Sequence, residues 1–256
     1  MDRLRDRVAL VLGGGSGMGA AVCRRFAAEG AVVYVADIDA DAGRLVVEGI
    51  EASGGRAHAV IVDATSPEDL DAVLSHISND HGVLHVLHSQ VGMPGAAGVT
   101  VSDEEFERAV EVNVKSAFFP AQKALPLLIK ARGKGAITLV ASTAALVGSP
   151  FSPLYSLTKG AVVSYARSLA LAVAADGVRV NVICPGPIDT PMLPRFFGRD
   201  PGANIDDLKD AFVAAIPMQR PGTPEEIAGA AAFLASDDAG FVTGVALPVD
   251  GGQIAK

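Results

Sequence analysis

The chain has 256 residues, half of them hydrophobic, and its 29 acidic against 21 basic side chains give a net charge of −8 and a pI near 5.1. That supplies apolar material for one large core, and an acidic balance without a basic cluster excludes nucleic acid as a partner. No apolar run approaches the roughly 18 residues of a membrane span, and Cys23 and Cys184 lack metal spacing, so a cytoplasmic protein with buried free thiols and no membrane or metal partner is expected.

Taken in chain order, the first element is a short apolar strand, Val8 to Leu12, followed at once by Gly13-Gly-Gly-Ser-Gly17-Met-Gly19 and a helical pattern to Glu29 with Val22 and Phe26 on one face. Strand, glycine turn and helix in that order let a phosphate approach bare backbone amides at the positive end of a helix. A second strand, Ala31 to Ala36, runs into Asp37, eighteen residues beyond Gly19, near where a dinucleotide fold places an acid on the adenosine ribose. Further strands are predicted at Ala57 to Val62, Leu84 to His88, Ala136 to Val140, Arg179 to Ile183 and Val245 to Val249. The helices between them open with Ser66-Pro-Glu-Asp, Ser102-Asp-Glu-Glu and Thr223-Pro-Glu-Glu. This alternation predicts an α/β protein of the Rossmann type: a doubly wound parallel sheet of about seven strands with helices on both faces. The whole chain, 1–256, reads as a single domain. Pro185 to Asn204 is rich in Pro and Gly and has no period, so a substrate lid is expected at about 186–212, with a helix starting at Asp206.

Tyr155-Ser-Leu-Thr-Lys159 sets a phenol and an ammonium four residues apart in a helical run, so both project from one face. Bringing a phenol from about pH 10 toward neutrality takes about 4 kcal/mol of preference for the phenolate, which one nearby cation in partly desolvated surroundings can supply. Such a pair suits proton transfer to or from an alcohol oxygen.

Together these motifs resemble the short-chain dehydrogenase/reductase family in its single-domain branch, over nearly the whole chain. The family's T-G-x-x-x-G-x-G matches Gly13, Gly17 and Gly19, with Leu12 in the place of threonine, and its Y-x-x-x-K matches Tyr155 and Lys159. The catalytic serine thirteen residues before that tyrosine falls on Ser142, the helix asparagine on Asn113, and the Pro-Gly turn on Pro185 and Gly186. The resemblance implies an oxidoreductase that interconverts a secondary alcohol and a ketone, with Asn113, Ser142, Tyr155 and Lys159 as its catalytic set. In it Tyr155 takes the substrate proton, Lys159 lowers the tyrosine pKa and bonds the nicotinamide ribose, Ser142 holds the substrate oxygen, and Asn113 positions a water relaying to Lys159. It implies cofactor contacts from Gly13, Gly15, Ser16, Gly17, Met18 and Gly19 in the turn, and from Asp37 and Ile38 at the ribose. Asp63 would meet adenine or cap the helix that follows it, Ile188 and Thr190 would meet the carboxamide end, and Ala64, Gln90, Gly92, Pro185 and Gly186 are further implied cofactor contacts. Asp37 would repel a 2'-phosphate, and neither Ile38 nor Ser16 supplies a cation for one, so NAD is expected over NADP.

The substrate pocket is expected to draw on Ser142, Phe151, Leu154, Tyr155, Met192 and Phe196, and its apolar lining, Val147, Phe151, Leu154, Met192, Leu193, Phe196 and Phe197, suits a cyclic or aliphatic alcohol. Alternatives are a 3-oxoacyl thioester reductase of the same fold and, further off, a non-catalytic dinucleotide-binding regulator. The broad apolar surface of the helix beginning at Tyr155, with the family's pairing through that helix and the last strand, points to a homotetramer. One departure stands out: where the family reads Asn-Asn-Ala-Gly, this chain has Ser89-Gln-Val-Gly92, preceded by His88. The polar contact that the family's threonine makes with this stretch is therefore expected to have been exchanged for an apolar one at Leu12, and His88 to be a satisfied or surface residue.

Overall fold

The computed structural model describes residues 2–197 and 213–255. Seven strands form one parallel sheet in the order β3-β2-β1-β4-β5-β6-β7. They are β1 (Val8–Leu12), β2 (Val32–Asp37), β3 (Arg56–Ile61), β4 (Val86–Ser89), β5 (Gly135–Val140), β6 (Val178–Pro185) and β7 (Ala246–Val249). Every predicted strand is present, with ends shifted by at most two residues. The helices, numbered in chain order among the described residues, are α1 (Gly17–Ala28), α2 (Ala40–Ala52), α3 (Pro67–His81), α4 (Asp103–Val110), α5 (Ser116–Ile129), α6 (Pro153–Val173), α7 (Leu193–Phe197) and α8 (Pro224–Ala235).

All five residues of β1 are buried because both sheet faces are covered, as parallel strands require. Alternation then sorts them. Ala9 and Val11 join Val22, Phe26, Ile227 and Ala231 on the α1/α8 side, while Leu10 and Leu12 join Leu70, Leu128 and Val162 on the α3/α5/α6 side. The helix starts read from sequence hold in their chemistry: Ser66 accepts from Asp69 N, and Ser102 with Glu105 closes a reciprocal capping box. Cys23 and Cys184 are free and buried. No helix among the described residues is long and apolar enough to cross a membrane.

The strand order reverses between β1 and β4, which opens a crevice at their carboxyl ends, the usual ligand position in such sheets. The α4–α5 run is one helix interrupted at Glu111–Lys115 by a π-type turn that carries Asn113. Of the predicted lid, Gly186 to Phe197 is described. It starts as an extended arm pinned by Asp189 N to Gly222 O at 2.9 Å and Gly222 N to Pro187 O at 2.9 Å, and it ends in α7. The remainder of the lid, including the helix predicted from Asp206, lies outside the described residues.

Candidate active site

The turn after β1 is built from glycines for steric reasons. Gly13 and Gly17 have φ of 77° and 49°, and a Cβ on Gly19 would stand 1.9 Å from the carbonyl oxygen of Gly13. Amides of Gly13 and Gly14 both donate to Ala36 O, at 2.8 and 3.0 Å, which draws the turn onto the end of β2. There the Asp37 carboxylate accepts from Gly15 N at 2.8 Å and from Asp39 N at 3.1 Å, so its orientation is set before any ligand arrives.

From this turn a groove of about 280 Å³ crosses the strand ends, walled by Gly13, Ser16, Gly17 and Met18, then Asp37 and Ile38, Asp63 and Ala64, Gln90 and Gly92, and finally Tyr155 and Lys159. A second cavity of about 330 Å³ holds Ser142, Phe151, Met192 and Phe196. The two share Met18, Ala141, Tyr155, Thr190 and Met192, so Tyr155 stands at their junction.

Most residues predicted to bind cofactor thus converge on the first groove, with instructive exceptions. Gly15 and Gly19 act behind the wall, through Asp37 and through helix packing. Pro185, Gly186 and Ile188 line the second cavity instead, because β6 runs on to Pro185 and carries the turn past the junction. Leu154 is buried in the protein interior and lines neither cavity, since the helical step from Tyr155 turns it away. Asp63 sits beyond the end of β3, where its carboxylate accepts from Thr65 N and Oγ1, while Ser66 caps α3.

Lys159 is 3% exposed, donates to Val140 O at 3.1 Å, and lies 5.9 Å from the centre of the Tyr155 ring. Burial pushes its pKa down to about 8. Tyr155, 9% exposed, meets the Phe196 ring edge-to-face at 5.4 Å. Ser142 Oγ accepts from Ala144 N at 3.2 Å, which leaves its O–H for a ligand in the second cavity. The Asn113 carboxamide is committed: it accepts from Met93 N at 2.7 Å and donates to Met93 O and Thr158 Oγ1, each at 3.1 Å. Its side chain therefore clamps the loop after β4 to the helix bearing Lys159.

The altered stretch after β4 has found its own partners. Ser89 Oγ donates to Ser116 O at 2.7 Å, while Leu12, its register neighbour on β1, packs in the apolar core. His88 is fully buried, with one ring nitrogen 2.9 Å from Gln90 Oε1.

Sequence reasoning missed Gln253 and Ile254, which line the second cavity from beyond β7. The signal was Asp250-Gly-Gly: Asp250 accepts from Gly252 N and Ile254 N, each at 3.0 Å, and the two glycines have φ of 64° and 86°, so the tail curls back over the strand ends.

Comparison with known proteins agrees with this arrangement. Residues 13–253 match a family model described as enoyl-(acyl carrier protein) reductase. The chain is 39% identical to 4-formylbenzenesulfonate dehydrogenase from Comamonas testosteroni, with 98% of each chain covered. It is 36% identical to meso-2,3-butanediol dehydrogenase from Serratia marcescens, covering 99% of this chain and 97% of that one. A crystal structure of a putative short-chain dehydrogenase/reductase from Burkholderia xenovorans superposes with a TM-score of 0.94 at 33% identity, covering 100% and 99% of the two chains. End-to-end likeness of this kind, over a chain whose crevice has the glycine turn and the buried lysine where that architecture calls for them, identifies the protein as an oxidoreductase belonging to the short-chain dehydrogenase/reductase family, a nicotinamide dinucleotide being the cofactor that the family implies.

Proposed function

We propose that this protein oxidises a small secondary alcohol to a ketone, and reduces it back, with NAD as the preferred cofactor. The observation that carries the reading is the burial of Lys159 beside Tyr155 at the junction of the two cavities. A buried ammonium with one carbonyl partner is costly unless it serves something.

The groove fits a dinucleotide. Gly13, Gly17 and Gly92 put no side chain on its wall, its far end carries the oriented Asp37 carboxylate, and no lysine or arginine stands at Ser16 or Ile38 to receive a 2'-phosphate. Asp37 would bond the ribose hydroxyls, the α1 amides the phosphates, and Lys159 the second ribose. When bound, the nicotinamide ring supplies the hydride acceptor.

The chain's own residues move the proton. Ser142 Oγ–H holds the substrate oxygen, and Tyr155 Oη takes the hydroxyl proton. The Lys159 ammonium, held beside the Tyr155 ring, favours the phenolate over the phenol by its charge. Asn113 keeps the Met93 loop and α6 in register, so that Lys159 does not drift. Phe151, Met192, Leu193 and Phe196 exclude water and favour a cyclic or aliphatic carbon frame.

The test is absorbance of reduced nicotinamide when the protein is mixed with NAD and secondary alcohols such as cyclohexanol and 2,3-butanediol. Turnover with at least one, faster with NAD than with NADP, is expected. Cofactor binding without turnover across a broad alcohol and ketone panel would overturn the reading.

A further inference from the structure

The mechanism above leaves one buried polar pair unused. His88 lies on β4, wholly inside the protein, with the Phe26 ring of α1 edge-to-face at 6.2 Å. Its Nε2 is 2.9 Å from Oε1 of Gln90, and its Nδ1 has no partner among the described residues. Gln90 is half-buried and lines the dinucleotide groove, and its amide is backed onto the end of β1 through Gln90 N to Leu12 O at 3.1 Å.

A carboxamide oxygen only accepts, so Nε2 must carry the ring proton and the neutral ring leaves Nδ1 as a bare acceptor. Turning the amide over would put the proton on Nδ1 and bury an unpaired N–H, the costlier orphan. The ring therefore selects one orientation: oxygen inward and NH2 outward. The Gln90 NH2 group has no protein partner among the described residues, and it is absent from the buried unpaired atoms, so it reaches the open space of the groove.

We infer that His88 is a positioning residue for the cofactor: it holds the Gln90 carboxamide oxygen so that the Gln90 NH2 group is presented to the groove as a hydrogen-bond donor to a ribose or phosphate oxygen of the dinucleotide. The inference rests on the dinucleotide reading of that groove. Burial assists the device by driving the ring pKa down to about 4, which keeps the histidine neutral and its tautomer fixed at working pH. A side chain already oriented loses less freedom on binding than a free glutamine would.

The experiment is a mutant cycle on the dissociation constant for NADH, followed by fluorescence, with thermal stability recorded for each protein. Gln90→Leu should weaken NADH about tenfold, the effect of one lost hydrogen bond. His88→Phe, which keeps a ring against Phe26, should weaken it about three- to tenfold, and the loss should fall on the cofactor constants rather than on kcat. The double variant should be no worse than Gln90→Leu alone, because His88 acts only through Gln90. His88→Gln, which retains an N–H near the ring's reach, should recover most of the affinity. Losses that add in the double variant, or a His88→Phe protein with lowered stability and unchanged affinity, would mean that His88 is merely structural. If His88→Phe does not fold, Gln90→Leu decides, since unchanged NADH affinity in that variant overturns the inference. A wild-type protein that binds neither NAD(H) nor NADP(H) would instead overturn the dinucleotide reading itself.

Discussion

A Cβ on Gly92 would stand 2.9 Å from Nζ of Lys159 and 3.2 Å from Oδ1 of Asn113. Gly92 thus leaves the space that the Lys159 ammonium and the Asn113 carboxamide both border, and a side chain there would press on each of them. Gly92→Ala should move the flexible lysine tip more readily than the backbone, leaving the melting temperature within a few degrees while kcat falls tenfold or more, about 1.4 kcal/mol in the barrier. Steady-state rates beside a melting curve check this. Wild-type turnover in a folded Gly92→Ala protein would show that Lys159 needs no fixed position.

Tyr155→Phe should abolish turnover and leave cofactor affinity nearly intact. The ring keeps its edge contact with Phe196, Lys159 keeps Val140 O, and only the hydroxyl proposed to take the proton is gone. A residual rate above a few per cent of wild type in initial-rate assays would mean that another group takes the proton.

Asp37→Ala should weaken NAD and narrow its advantage over NADP about tenfold, a difference of about 1.4 kcal/mol. On the proposed reading, the change removes acceptors for two ribose hydroxyls together with a charge that would repel a phosphate. Titrations with both cofactors settle the ratio. An unchanged ratio would place the ribose elsewhere.

What the sequence made legible was whatever is local. The β1 strand falls on the residues expected because charged Arg5-Asp-Arg7 and the glycine turn bound it on both sides, and the turn declares its own steric need at Gly19. Tyr155 and Lys159 share a face by helical spacing alone. Leu154 and Gln253 were misjudged or missed because lining a cavity depends on what packs against a residue from far along the chain. His88 shows the same limit: its place in a central strand announces its burial, but its contact with Phe26, more than sixty residues earlier, does not show in the sequence.

The apolar surface of α6 is only partly accounted for by the sheet. Val162, Val163, Ala166, Ala170 and Val173 are buried, whereas Leu171 is 85% exposed and Leu157 55%, with Phe118 of α5 also open to solvent. A homotetramer would cover them, and sedimentation equilibrium should return four times the chain mass of 26.1 kDa. A monomer at micromolar concentration would sink the expectation.

Lys159 also leaves a signature in stability against pH. Its pKa in the folded protein, about 8, lies below the ordinary 10.5, so between those values the unfolded chain binds a proton that the native protein does not. Stability contributed by this group must therefore rise with pH across that window, and below it the folded state bears the whole cost of a buried cation, up to about 3 kcal/mol. Replacing it by an apolar side chain of similar length, Lys159→Met, should remove both the cost and the slope. The variant should lose turnover yet unfold at higher denaturant than wild type at pH 7, even though Val140 O gives up its donor. The gap should close as the pH is raised toward 10. Denaturant midpoints of the cofactor-free proteins at several pH values test this, and a gap that is absent or constant across the range would mean that Lys159 is solvated in the native state.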